Sequence, residues 1–485
     1  MEKYLLGIDV GTTGTKAMLF SEHGNVISHA YKGYSLSTPS IGLSEQNAQD
    51  WYDAVKETIH KVCSEESIAK NVLAISLSTQ GGTLVPVDSD FNPLRPAIVW
   101  SDARCEKQKA DFIEKVGGDD FMYNTCGWHL GNKLPALSIR WIKENEPEIF
   151  DATRYFLTVP DYISAKLTGR PAVDLSNAGI NQLCDVKTHT YNSDILKFCN
   201  IDATKLPELV PSGEKIGNLT PDAAKDLGLS TDTILVSGAH DQYAVALGAG
   251  ATKSGDMLIG SGTCWVVTAL SDEPDFSSGL SQSVAATPGM WGSLQSLSSG
   301  GVCLEWLKNS VIKEDVSYKV IDDEAAKRKA CEDGLYFYPF TGKSTDKTRF
   351  KKASFIGMDM SHDSFHLARA IMEGVVFQIL WIMEGFKAKP SKDGIILSGG
   401  ASKSPIWAKL LADVSGLCVK IPKVADLACV GAAIMAGVGC GLFENELSGY
   451  KKLAVGETIL SPDLEKTKIY SEIFSDYKKK AELLK

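Results

Sequence analysis

Two strand–turn–strand segments of matching composition constrain this chain more than any other feature. Leu6-Gly7-Ile8-Asp9-Val10-Gly11-Thr12-Thr13 is an apolar strand running into a Gly/Thr turn, and Gly14 to Phe20 reads as the returning strand. About 250 residues later the pattern comes back as Asp256-Met257-Leu258-Ile259-Gly260-Ser261-Gly262-Thr263, followed by Cys264 to Leu270. Small residues at such a turn let the backbone reverse tightly and keep bulk away from its N–H groups. Repetition at that distance fits two similar halves rather than a solenoid, although Gly-Thr turns between strands also arise by chance. The length agrees with two halves, because 485 residues exceed what one ordinary core holds.

The first hairpin extends into an antiparallel start, with Tyr4 to Val10, Thr15 to Phe20 and Val26 to Tyr34 as strands. Asn47 is placed to cap a helix whose apolar stripe is Trp51, Val55, Ile59 and Val62, and Val72 to Ser78 is the next strand. Residues from about 105 to 230 mix helices and loops, punctuated by Gly and Pro without a long linker. Thr233 to Gly238 reads as a strand ending in glycine, and Tyr243 to Gly250 as a helix of small residues. Gly394 to Leu397 is a strand that enters a third turn, Ser398-Gly399-Gly400-Ala401-Ser402-Lys403-Ser404, before a helix carrying Trp407, Leu410, Leu411 and Val414. Val430 to Gly437 reads as the start of a small-residue helix, which another backbone or a ligand can approach closely.

Composition removes several function classes. Lys and Arg total 50 against 60 Asp and Glu, a formal net charge of -10, and no basic cluster stands out. Nucleic acid and anionic membranes are therefore poor partners. No apolar run reaches the roughly 18–20 residues of a membrane helix. Met1 to Leu6 passes straight into a strand without the features of a signal peptide. The 11 cysteines are scattered, without a CxxC pair, as expected of reduced thiols in the cytoplasm. No zinc site built on cysteine or histidine is expected.

The turns suit phosphate chemistry. Phosphoryl transfer needs N–H donors around the phosphate oxygens, a cation and a positioned base. Gly/Ser/Thr turns supply the donors, and two facing hairpins can grip a triphosphate from both sides. Asp9, at the end of its strand, can hold magnesium through water. Lys16 on the returning strand either faces phosphate or is solvated. No GxxxxGK[ST] loop and no GxGxxG fingerprint after the first strand occurs. Asp241, in Gly238-Ala239-His240-Asp241-Gln242, can cap the following helix or project into a cleft at the C-terminal edge of a sheet. Its neighbour His240 invites a base role, but an isolated histidine is more often structural.

In order along the chain, Gly7 to Thr13, Ser44-Glu45-Gln46 before Trp51, Trp100-Ser101-Asp102-Ala103-Arg104, Gly238 to Gln242, Gly260 to Thr263, Ser398 to Ser404, and Ala353 to Met358 with His366 to Glu373 make the chain resemble the FGGY family of carbohydrate kinases. The resemblance implies an α/β, two-domain actin-like ATPase of ribonuclease H-like fold, each domain a mixed five-stranded sheet flanked by helices, with a cleft between. Residues 1–246 would form the domain holding the sugar and the first phosphate hairpin, and 247–485 the nucleotide-binding domain. It implies a cytoplasmic enzyme whose partners are a small sugar, ATP and Mg2+, with a homodimer an acceptable assembly. Asp241 matches the catalytic base and Asp9 the acid that organises magnesium. Thr12, Thr13, Gly262 and Thr263 match the phosphate turns, and Gly301, Gly400, Ala401 and Ser404 the nucleotide pocket. Gln80, Trp100, Asp102, Asp241 and Gln242 are the candidates for holding the sugar. Trp100 to Arg104 and Trp141 to Phe150 are most similar to the xylulose kinases, which makes D-xylulose the expected substrate, ahead of ribulose, arabinitol or a glycerol-like polyol. Two positions depart from that subfamily: Gln80-Gly81-Gly82-Thr83 stands where Gln-Met-His-Gly is usual, and Ser138 where the N-terminal signature has lysine. A non-catalytic sugar-binding regulator and an ATP-driven clamp are the rival readings of the same fold.

Overall fold

The opening apolar run forms β1 (Tyr4–Val10), and the Gly/Thr turn returns it as β2 (Gly14–Ser21), in a computed structural model that describes residues 2–131, 133–313, 315–339, 352–424, 426–454 and 456–484. β3 (Val26–Gly33) completes the antiparallel start. Asn47 accepts a hydrogen bond from the Gln49 N–H and starts helix α1 (Ala48–Val62), which buries Trp51, Val55, Ile59 and Val62 against the sheet. β4 (Val72–Thr79) lies parallel to β1 and places Ser78 opposite Asp9. After the mixed region that includes helix α2 (Leu175–Ile180), β5 (Lys215–Asn218) and β6 (Ile234–His240) close the sheet in the order β5-β6-β4-β1-β2-β3. Helix α3 (Asp241–Gly248) follows β6 directly.

The second sheet repeats this plan. β7 (Met257–Ser261) and β8 (Trp265–Ser271) are the second hairpin, and β9 (Ser281–Val284) and β10 (Trp291–Leu297) extend it. Helix α4 (Gly301–Trp306) and the long helix α5 (Ser364–Glu384) precede β11 (Ile395–Gly399), helix α6 (Pro405–Ser415) and β12 (Val419–Pro422). Helix α7 (Leu427–Gly439) and β13 (Glu457–Leu460) complete the order β9-β10-β8-β7-β11-β12-β13. In each sheet a central strand pairs antiparallel with its hairpin partner and parallel with the strand on its other side. The duplication suggested by the hairpins therefore extends to the whole sheet topology. The sheets hold six and seven strands rather than five. The extra strands, β5, β13 and β9, pair antiparallel at edges that would otherwise expose unpaired backbone groups.

A separate apolar core lies between the sheets, made by α3 and α7 with Leu5, Met18 and Val236 from one sheet and Leu258, Leu270 and Ile396 from the other. The two helices cross at contact distance. A Cβ on Gly248 would lie 1.9 Å from the Leu427 carbonyl oxygen, and one on Gly431 would lie 2.0 Å from that of Ala244. Gly7 on β1 has the same relation to Cys429 of α7, at 1.9 Å. No side chain fits at any of these three positions without moving backbone.

Three further expectations are corrected. β6 does not end at Gly238 but runs to His240; Gly238 meets the Leu77 carbonyl at 1.8 Å from an ideal Cβ, so its glycine serves close strand pairing rather than a stop. The run Val430–Gly437 is the middle of α7, not its start. Helix α5 has the length and hydropathy of a membrane span, yet 72% of that window is buried in the second core, where Arg369 and Glu373 pair. His362 and His366 form an i, i+4 pair, with ring centroids 5.4 Å apart, that the expectation of no histidine site passes over. Both rings engage aspartates at the start of α5, and among the described residues no three metal-ligating side chains converge.

Gly431→Ala and Gly248→Ala are expected to destabilise the protein by about 1–3 kcal/mol each. A thermal melt should show midpoints several degrees below wild type. Gly118→Ala, where an added Cβ meets nothing within 4 Å, is the steric control and should lose less than either, since only a helix N-cap preference is at stake.

Candidate active site

Asp9 sits where the first hairpin turns. Its register across β2 sets it opposite Lys16, and the Ser78 hydroxyl donates to its Oδ1 at 2.8 Å. The Lys16 ammonium lies 3.8 Å from Asp9 and 2.6 Å from Asp426, the N-cap of α7. The Asp9 side chain is only 14% exposed. Burial first, and then the Asp426 carboxylate, push its carboxyl up to about 7, with Asp241 adding to the rise and Ser78 and Lys16 opposing it. A buried carboxyl raised by like charges is a site that favours a cation. Its all-oxygen donor set fits magnesium, and because no three such side chains converge among the described residues, coordination through water suits it better than a direct protein cage.

The first turn is held from behind. Gln46 donates to the Thr12 carbonyl at 2.6 Å, Tyr34 to that of Gly11 at 2.5 Å and Tyr31 to that of Thr13 at 3.2 Å. With the carbonyls tied back, the Thr12 and Thr13 N–H groups have no partner among the described residues. The Thr12 hydroxyl donates to Gln80 at 3.2 Å and accepts from the Trp100 indole at 3.0 Å. Gln80 is buried and also bonds Gln46 and the Gly11 carbonyl, so it braces the turn. Trp100 is 42% exposed, with its indole against the hydroxyl of that turn.

The second turn is locked to the nucleotide-pocket candidates. Gly262 donates to the Cys264 carbonyl within the hairpin, and its own carbonyl accepts from Gly301 at the start of α4. The Ser261 hydroxyl donates to the Ser398 carbonyl and accepts from the Ala401 N–H, joining the hairpin to the Gly399–Gly400–Ala401 turn. The Thr263 N–H has no partner among the described residues. Ser404 caps α6 through the Trp407 N–H, with Asp322 against the same hydroxyl. Two concavities flank these positions. One of about 320 Å³ is bordered by Ser299, Val302, Trp306 and Phe355 beside Gly301, and one of about 530 Å³ by Asp322, Arg369, Pro405 and Tyr470 beside Ser404.

Asp241 opens helix α3 as its first residue; the N-cap is His240, whose side chain makes no capping bond. The helix-cap reading of Asp241 is therefore corrected. Its carboxylate is 37% exposed, and Gln242 beside it is half-buried. Behind it the His240 N–H donates to Ser176, which donates to the buried Asp174. Asp102 is in a different state. It is buried, and its two oxygens take the Ser44 N–H and three N–H groups of Arg104, at 2.6 to 2.9 Å. Burial pushes the Asp102 carboxyl up, but Arg104 and these bonds outweigh it and hold the carboxyl below its ordinary range. The structure thus brings Asp9, Asp241, Thr12, Thr13, Gln80 and Trp100 into one region and ties Gly262, Thr263, Gly301, Gly400 and Ala401 into another. Asp102 stands behind the wall of the first rather than in it.

The sequence reading missed Asp426, Ser78, Gln46 and Ser176. Nothing local marks Asp426, Ser78 or Ser176, polar residues at an ordinary cap, strand and helix position, and the Asp426–Lys16 contact spans 410 residues. Gln46 alone carried a signal, as part of the Ser44-Glu45-Gln46 motif.

Residues 4–248 match the model of the N-terminal domain of the FGGY family of carbohydrate kinases, and residues 257–440 match that of its C-terminal domain. The xylulose kinase of Bacillus subtilis (strain 168) is 30% identical over 483 residues, covering 98% of this chain and 96% of that protein. The gluconokinase of the same organism is 28% identical over 461 residues, covering 92% and 89%. The crystal structure of xylulose kinase from Rhodospirillum rubrum superposes with a TM-score of 0.90 at 26% identity, covering 98% of both chains. With both domain models matched and the sheet topology duplicated, the chain belongs to the FGGY family of carbohydrate kinases.

Proposed function

We propose that the chain phosphorylates D-xylulose at its terminal hydroxyl from magnesium-ATP, giving D-xylulose 5-phosphate, with Asp241 as the general base. The contrast among the acids carries the assignment of the base. Asp102 is saturated by Arg104, Asp174 is buried with Ser176 and Asn177, Asp9 is buried on Ser78, and Asp426 is paired with Lys16. Asp241 keeps an accessible carboxylate at the C-terminal edge of the sheet. In the reaction the acceptor oxygen bonds to the γ-phosphorus as the bond to the β,γ-bridging oxygen breaks, ADP leaves, and the acceptor proton passes to Asp241. The free N–H groups of Thr12, Thr13 and Thr263 are suited to the charge on the transferring group. Bound magnesium would neutralise phosphate charge, with Asp9 holding it through water. Trp100 and Gln242 are the proposed sugar contacts, Gln80 braces the turn they share, and Gly301, Gly400, Ala401 and Ser404 shape the nucleotide pocket.

The 30% identity to a xylulose kinase over the whole chain supports D-xylulose. Gluconate is the second reading, because the B. subtilis gluconokinase matches nearly as well. An ADP-release assay over D-xylulose, D-ribulose, glycerol and D-gluconate decides between them: D-xylulose should give the highest kcat/KM, and a higher value for gluconate overturns the assignment.

Asp241→Asn should lower kcat by roughly 10²- to 10⁴-fold while leaving ATP affinity, measured calorimetrically, unchanged. Near-normal turnover would refute the base assignment.

The Asp9 carboxyl titrates near 7 when folded and near 4 when unfolded. Its folded value is raised, so its contribution to stability is fully present below about pH 4 and is lost as pH rises through 7. Without nucleotide or metal, Asp9→Asn should therefore melt increasingly above wild type from pH 4 to pH 7, and the difference should level off by pH 8. A difference that stays constant across this range would contradict the raised carboxyl.

A further inference from the structure

The loop Gly81-Gly82 carries no side chain, and the space beside Gly81 belongs to another residue. An ideal Cβ on Gly81 would lie 2.5 Å from Cδ2 and 3.0 Å from Nε2 of His240, so the imidazole occupies the volume a side chain at 81 would take. Gly82 is at φ +73°, and a Cβ there would meet Leu134 Cδ2 at 2.7 Å and Trp100 Cβ at 3.6 Å. His240 is 6% exposed and is fixed by the Trp128 ring, at 6.2 Å and 69°, and by that of Tyr243 at 5.8 Å. Its backbone is held by Ser176.

The two ring nitrogens differ. Nδ1 is buried and has no hydrogen-bond partner among the described residues. Nε2 lies 3.5 Å from Asp241 Oδ1. Nδ1 has no acceptor among the described residues, whereas Nε2 has the Asp241 carboxylate within 3.5 Å, so Nε2 is the nitrogen placed to donate. At 3.5 Å the contact with Asp241 is too long to be a good hydrogen bond. The donor is therefore available to a second oxygen placed next to the acceptor hydroxyl.

We propose that His240 is a substrate-binding, specificity-determining residue, whose Nε2–H donates to the hydroxyl on the carbon adjacent to the one phosphorylated, and that Gly81 is glycine because this ring needs its space. The proposal rests on Asp241 being the base, since that fixes where the acceptor hydroxyl lies. The imidazole supplies from β6 the polar contact that the glycine loop cannot.

Steady-state kinetics on the full chain test this with acceptor pairs that differ only at that carbon: D-xylulose with L-ribulose, D-ribulose with L-xylulose, and D-gluconate with L-idonate. Wild type should prefer one member of the pair it uses best. His240→Leu should reduce that preference roughly 10- to 100-fold, mainly through the KM of the preferred sugar and with the KM for ATP unchanged. His240→Asn, which keeps an N–H donor, should retain most of the preference. If His240→Leu does not fold, His240→Phe gives the same comparison. An unchanged preference in the apolar variant overturns the proposal. So does an equal loss on both members of a pair, or a wild type that does not distinguish them. Failure of the underlying reading shows separately, as turnover by Asp241→Asn whatever the His240 variants do.

Discussion

Backbone-to-backbone contact at three glycines holds the two halves of this kinase together. Gly7 admits α7 onto β1, and Gly248 and Gly431 let α3 and α7 cross with carbonyls about 2 Å from where a Cβ would stand. Everything chemical follows from that crossing. Asp426 caps α7 and so arrives beside Lys16 and Asp9 on the first hairpin. Asp241 opens α3 and so stands at the same sheet edge. The small residues of both helices are there for approach, because any larger residue would separate the strands that carry the acids.

The packing sets up an electrostatic conflict that suits a phosphotransferase. Three carboxylates influence one another, and the Lys16 ammonium offsets them. Burial and the neighbouring carboxylates make ionised Asp9 costly, so above its raised titration range the protein is less stable than its packing alone would make it. Asp241 is the most exposed of the three. Asp102 escapes the conflict by Arg104, which converts a candidate sugar ligand into a strut behind the Trp100 segment. The same residue type is thus the proposed cation site, the proposed base or a brace according to what surrounds it.

Much of the fold was legible because its signals are local. The hairpins, the Asn47-capped helix and the third glycine turn appear where alternation, caps and small residues put them, since turn dihedrals and helix starts depend on neighbours in sequence. Misreadings came where a glycine had a tertiary reason. Gly238 looked like a strand end and is a close approach to Leu77, and the small residues of α7 looked like a helix start and are its buried middle. The edge strands β5, β9 and β13 were missed because short, partly exposed strands have little apolar pattern to read.

The sequence by itself determined the two Gly/Thr turns, the acids beside them and the family those motifs resemble, because each is a short segment whose chemistry is written in adjacent residues. Only the tertiary structure decided which acid is free. It paired Asp426 with Lys16 across 410 residues, set the His240 ring into the space of Gly81, and filled Asp102 with Arg104. Burial and charge act through space, and whether a carboxylate is open, paired or raised depends on groups that no local pattern brings together.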